Sequence, residues 1–245
     1  MQVLPPRTLL PKTPIRQRHN PRPVDWQGGY RKYGPCLRWD FGFTCAFCLL
    51  HEADLVRHGV SGLGIFTAEH FEPQSVSEQA INDYSNLVYA CRWCNRARSV
   101  APGTTSSCRL LNPTQDSWAH HFQIEEDNFR SRAGDADALY TCDAYNLNDG
   151  RKVALRDIRH KTLSEAIPLV KKGPAALEEL TDLAEKHLTQ ELIEAHKALS
   201  AAIRLATLNL ESYLATPLDA PTQCRCGTTN MHSLPEEFAE QAVQI

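Results

Sequence analysis

Two CxxC pairs, Cys45-Ala-Phe-Cys48 and Cys91-Arg-Trp-Cys94, stand 42 residues apart. Two residues between thiols let both sulfurs of a pair face one ion, and two such knuckles complete the closed tetrahedral sulfur shell that structural zinc prefers. The other readings are a redox pair or unrelated buried thiols. A redox CxxC normally sits alone beside a thioredoxin-like βαβ pattern, and none is legible here. The spacing therefore predicts structural Zn²⁺ at Cys45, Cys48, Cys91 and Cys94, with no coordination position open to water. Such a centre ties together two remote segments and frames everything between them.

The chain has 245 residues, enough for one large or two small domains with a real core. Its 42% hydrophobic and 22% charged residues are those of a folded globular protein and exclude a disordered or fibrous one. No window approaches the roughly 18 apolar residues of a membrane span, and the N-terminus lacks the apolar core of a signal peptide. The expected location is cytoplasmic, with no membrane partner. In that compartment nine cysteines point to metal and not to disulfides. The net charge of −3 conceals an asymmetry: residues 1–110 carry +5 and residues 111–245 carry −8. A phosphate-binding surface is expected in the first part.

Residues 1–28 are rich in proline, hold Arg7, Lys12, Arg16, Arg18 and Arg22, and read as an extended basic arm, either a tether to nucleic acid or a solvated tail. Residues 29–158 are expected to form the zinc-stabilised domain. Pro35, Leu37 and Phe41 suit a short helix before the first knuckle. Leu63 to Glu69 reads as a strand ending at His70, Leu87 to Ala90 as a second, and the residues from Cys91 as a helix stopped at Pro102 and Gly103. Trp118, His120, Phe122 and Ile124 alternate like a half-buried strand, with His120 and His121 as scaffold residues, and Phe129 and Leu139 to Thr141 extend that sheet. Residues 159–245 read as helical: one helix from Leu155 to Val170, kinked or ended by Pro168, a second from Leu177 to Leu188, and a third whose seam runs from Leu192 through His196 to Tyr213. His196 is expected in the core. Cys224, Cys226 and His232 are candidates for part of a second metal site with Cys36, Cys108 or Cys142, and Ser233 for the start of a short last helix.

Inside the zinc frame lie Thr67-Ala68-Glu69-His70-Phe71-Glu72-Pro73, then Asn86-Leu87, then Cys91-Arg92-Trp93-Cys94-Asn95. This order, an acid-His pair near a proline, Asn-Leu, and a CxxC followed at once by His or Asn, resembles the HNH endonucleases of the ββα-metal superfamily. Tyr30 to Phe41, Gly62-Leu63-Gly64, Leu111-Asn112-Pro113, His121-Phe122 and Asn146-Leu147-Asn148 look like a bacterial zinc-knuckle subgroup of that family. The likeness covers roughly residues 30–158. It implies an α+β fold: a ββα-metal HNH core with a structural zinc site, followed by a mainly helical C-terminal region. It also implies that His70 is the general base, that Asn86 braces the loop orienting it, and that Glu69 and Asn95 hold one Mg²⁺ or Mn²⁺. Glu69 stands where the family more often has Asp, and Arg96 and Arg98 stand near the position of a phosphate-binding lysine.

The chemistry suits these residue types independently. Hydrolysing a phosphodiester at neutral pH requires a base for water and a cation for the charge that develops on phosphate. Imidazole has the right pKa range for the first task, and oxygen ligands suit Mg²⁺. Neighbouring strand residues point to opposite sides, so Glu69 can hold an ion while His70 faces the nucleophile. The leading expectation is a metal-dependent DNA endonuclease, as in bacterial defence or mobile-element systems, with a partner protein that selects or activates the target. The alternative is a zinc-stabilised nucleic-acid- or protein-binding module without cleavage. A zinc-dependent transcription factor is disfavoured because no helix-turn-helix or finger helix is legible.

Overall fold

A short antiparallel hairpin sets the geometry of the N-terminal half. In the computed structural model, which describes residues 29–56, 65–72, 79–100, 107–187 and 189–214, β1 (Phe66–His70) pairs with β2 (Leu87–Cys91) from Phe66↔Cys91 to His70↔Leu87. Every residue of β2 is buried, whereas β1 buries only Ala68 and leaves its other side chains half-buried. The chain passes from Cys91 directly into α3 (Arg92–Val100). The expected strand end at His70 and the helix start beside the second CxxC are both present. The predicted basic arm, Pro102 and Gly103, and Cys224, Cys226, His232 and Ser233 lie outside the described residues.

Before the hairpin, α1 (Gly34–Asp40) carries Pro35 in its first turn, where a missing N–H costs nothing. The first knuckle follows: Cys45 N–H donates to Leu50 O at 2.9 Å, and Leu49 takes a left-handed φ of 61° to close the turn. Ala46 N–H then donates to Tyr89 O at 2.8 Å and seats the knuckle on β2. Next comes α2 (Glu52–Val56), whose Glu52 receives the Arg38 guanidinium at 2.7 and 2.5 Å and the Tyr89 hydroxyl at 2.6 Å.

Two predicted strand segments are helical. Trp118 to His121 forms one helical turn, α4, and only then does β3 (Phe122–Glu125) pair with β4 (Asn128–Ser131). The reason is spacing: Trp118 and Phe122 are four apart and both buried, with ring centroids 4.9 Å apart, while His120 between them is exposed. His120 is thus a surface residue and not part of a strand. Leu139 to Thr141 lies in α5 (Ala136–Ala144), where Asp135 caps Ala138 N–H at 2.8 Å and Ala138, Thr141, Cys142 and Tyr145 supply the buried face. Leu139 faces out.

The two helices expected on either side of Pro168 are one, α6 (Gly150–Lys186), which continues through Pro168 and Pro174. Each proline removes a single amide, and Pro168 lies on the exposed face of the helix. The described residues divide into two compact units at 157/158. In the second unit, α7 (Gln190–Leu214) carries the predicted seam, with Ala206 buried and Leu192, His196, Leu199 and Ile203 half-buried. His196 is therefore a seam residue but not a fully buried one. Gly173 permits close approach, because a methyl there would lie 2.5 Å from Ile203 Cγ1. The fold is α+β, with small antiparallel sheets and a predominance of helix. No helix among the described residues is long and apolar enough to cross a membrane.

Arg156 fastens three segments of the first unit. It is 4% exposed, and its guanidinium donates to Asp127 O at 2.8 Å, Leu147 O at 3.0 Å and Cys48 O at 3.1 Å while lying over the Phe129 ring. Its planar fork serves three carbonyls at once, which an ammonium on a flexible stem does not. Arg156→Ala should therefore destabilise the unit by about 3 kcal/mol in urea unfolding, and Arg156→Lys should recover only a minor part of that loss.

Candidate functional site

Cys45, Cys48, Cys91 and Cys94 converge: their sulfurs lie within 4.8 Å of one another and all four residues are buried. Cys48 and Cys91 are the close pair at 3.6 Å, and Cys91 N–H donates to Cys45 Sγ at 3.3 Å. Four Zn–S bonds of about 2.3 Å place tetrahedral sulfurs roughly 3.8 Å apart, so this group can hold a metal ion such as zinc. Burial raises the Cys45 thiol, and hydrogen bonds from the other three more than offset it, leaving it well below the ordinary value. Cys91 is pushed up chiefly by its bonds to Cys45 and Cys48, and Cys94 chiefly by burial. Thiols arranged in this way cannot all ionise without a cation among them. Among the described residues, Cys36, Cys108 and Cys142 neither join this group nor form a second one.

One cation of the chain itself meets the sulfur cluster. Lys152, in the first turn of α6, is 2% exposed and donates to Cys94 Sγ at 3.4 Å, Tyr145 O at 2.7 Å and Asn146 O at 2.9 Å. Burial lowers its pKa, but the four thiols opposite more than compensate and hold it raised. A lysine so placed offsets the net negative charge of a tetrathiolate site. Its contacts span 58 residues of sequence, and its local pattern gives no sign of the role.

A second group of polar side chains sits where β1 meets α3. Thr67 and Glu69 alternate onto one side of β1, and Asn95 faces them from α3. Glu69 Oε1 accepts from Thr67 Oγ1 at 2.8 Å and from Asn95 Nδ2, and Asn95 Nδ2 also lies 3.4 Å from Thr67 Oγ1. Burial raises the Glu69 carboxyl above its ordinary value, against the pull of Thr67, His70, Arg31 and Asn95. Thr67 is not among the site residues expected from the family likeness, although its two-residue spacing from Glu69 already implies a shared face.

His70 Nε2 lies 2.8 Å from Ile81 O, and the ring packs edge-on against Tyr30 with centroids 4.3 Å apart. A carbonyl only accepts, so in the neutral ring Nε2 carries the hydrogen and Nδ1 the lone pair. Asn86 accepts from Glu72 N–H at 2.7 Å and donates to Glu72 O at 3.1 Å, while its own carbonyl accepts from Phe71 N–H at 2.9 Å. Three bonds from one residue thus hold the backbone that leaves His70. Arg96 and Arg98 follow Asn95 on α3. Arg96 is exposed on another side of α3, and Arg98 is half-buried and hydrogen-bonded to Tyr145.

No family model, curated protein or solved structure matches the chain. The metal reading is tested by composition. Purified protein should contain one zinc per chain, and Cys45→Ser should lose both the metal and the cooperative unfolding transition. Lys152→Met, which keeps the stem and removes the charge, should weaken zinc affinity about tenfold to a hundredfold in a chelator competition.

Proposed function

We propose that the chain is a metal-dependent endonuclease of the HNH type that hydrolyses DNA phosphodiester bonds, with structural zinc at the four cysteines. The observation that carries this reading is the juxtaposition of Glu69 with Asn95 one residue from His70, where α3 packs against β1. In this reading Glu69 and Asn95 supply oxygen ligands for Mg²⁺ or Mn²⁺, which when bound offsets the charge developing on the phosphate and the leaving oxygen. His70 takes a proton from water at Nδ1, with its ring held by Ile81 O and Tyr30. The water oxygen bonds to phosphorus as the bond to the leaving sugar oxygen breaks; that oxygen takes a proton from solvent water and His70 returns its own to solvent, yielding a phosphate monoester and a hydroxyl. Asn86 keeps His70 in register by bracketing Glu72.

The same reading makes DNA the principal partner and leaves target selection to a second protein, in the manner of bacterial defence or mobile-element nucleases. Phosphate contacts position a protein on DNA without reading its sequence. The competing reading, a zinc-stabilised binding module without cleavage, draws support from Glu69, whose Oε1 accepts from both Thr67 and Asn95.

Plasmid nicking in Mg²⁺ or Mn²⁺ separates the two. His70→Ala should lower the rate by at least about a hundredfold at unchanged zinc content, whereas Glu69→Ala should chiefly raise the metal concentration required. Full cleavage by His70→Ala would remove that residue from the mechanism, and no cleavage by the unmodified chain would favour the binding module. A pH series adds a signed expectation. A carboxyl raised by burial holds its proton to higher pH, so acidification should weaken the metal response from above the ordinary glutamate value of 4.5.

A further inference from the structure

A cleft of about 860 Å³ opens on the side of α3 that carries Arg92, Trp93 and Arg96, and its other wall is built from Tyr140, Asn146 and Arg151. At 3.6 residues per turn this side of the helix differs from the one that carries Asn95. We propose that the cleft binds a nucleotide unit, with the planar base against Trp93 and the phosphate between Arg92 and Arg96.

Four features lead to that ligand class. Arg92 and Arg96 are exposed and one helical turn apart, which brings their stems about 5–6 Å from each other and suits two guanidiniums to one phosphate. Trp93 is half-buried, and the Arg151 guanidinium lies 5.4 Å from its ring centroid. Asp149 accepts from that guanidinium with two oxygens, at 3.0 and 3.2 Å, and indole and guanidinium together present planar groups of the kind bases stack on. Finally, Asp143 and Asn146 bring a carboxylate and a carboxamide to the cleft, matching the donors and acceptors of a base edge or sugar.

Other small ligands fit these walls less well. A hydrocarbon would bury guanidinium groups against carbon, and a bare anion would leave Trp93 and Tyr140 without a counterpart. Lys152 also borders the cleft, with its ammonium bonded to Cys94 and two carbonyls. The volume lies within the range of small-molecule sites. A free nucleotide and a nucleotide of a single strand present the same base and phosphate. The site goes beyond the cleavage reading and does not depend on it.

The test uses the full zinc-loaded chain at low salt without added divalent ion, so the outcome of the cleavage assay does not bear on it. Deoxyadenosine monophosphate and a short oligodeoxyadenylate are titrated separately and in competition. Trp93→Leu and the double variant Arg92→Gln/Arg96→Gln should each weaken binding by at least about tenfold. Arg130→Gln, at an exposed arginine of β4, should leave it unchanged. The double arginine variant keeps the test valid if Trp93→Leu fails to retain zinc. Tighter binding of the oligonucleotide assigns the cleft to a nucleotide within a strand, and equal or tighter binding of the monophosphate assigns it to a free nucleotide. Binding of neither probe, binding that survives in the double variant, or occupancy only by an acidic peptide such as polyglutamate would overturn the proposal.

Discussion

The convergence of four thiols is the constraint from which the rest of the N-terminal unit follows. The hairpin alone is two five-residue strands, and a two-stranded sheet has little independent stability in water. A knuckle hydrogen-bonded to Tyr89 on one side and a helix beginning at Arg92 on the other hold it in place. Both of these elements contribute sulfurs to the same point. An ion there closes a long loop, and closing it removes more disorder from the unfolded chain than a local contact does.

Around that point the protein uses buried cations to gather carbonyls that no ladder satisfies. Lys152 collects two from the end of α5 and the turn after it, and Arg156, one helical turn later, collects three from remote segments. The two residues share one end of α6 yet differ in chemistry. The compact ammonium also faces a sulfur, whereas the planar fork spreads over three acceptors and an aromatic ring. A buried charge without such partners would be costly, so the first turns of α6 and the loops they meet require each other.

The parts of this arrangement that were legible in the sequence are those governed by short spacing. The CxxC pairs and the seam of α7 each follow from one residue type recurring at a fixed interval, and the β1 end at His70 from the short run of Ile65, Phe66 and Thr67 before it. Where two periods fit the same residues, the sequence is ambiguous: Trp118 to Ile124 alternates like a strand, but the pair that packs is four apart, and Asp135 caps a helix over residues whose composition also suits a strand. Pro168 misled because a proline on an exposed helical face costs one bond and not the helix. Lys152, Arg156 and Tyr30 were illegible for a different reason. Their partners lie far away in sequence or are backbone atoms, and backbone acceptors leave no trace in side-chain identity.

Three consecutive residues of α3 face three different tasks. Cys94 meets the sulfur cluster, Asn95 meets Glu69, and Arg96 borders the cleft. Each step along the helix turns the direction of view by about 100°, so this division of labour is a property of the register and not of any one side chain. Single substitutions in this turn alter one task at a time. Inserting or deleting one residue would rotate all three together, so the spacing within the segment is less free to drift than its composition.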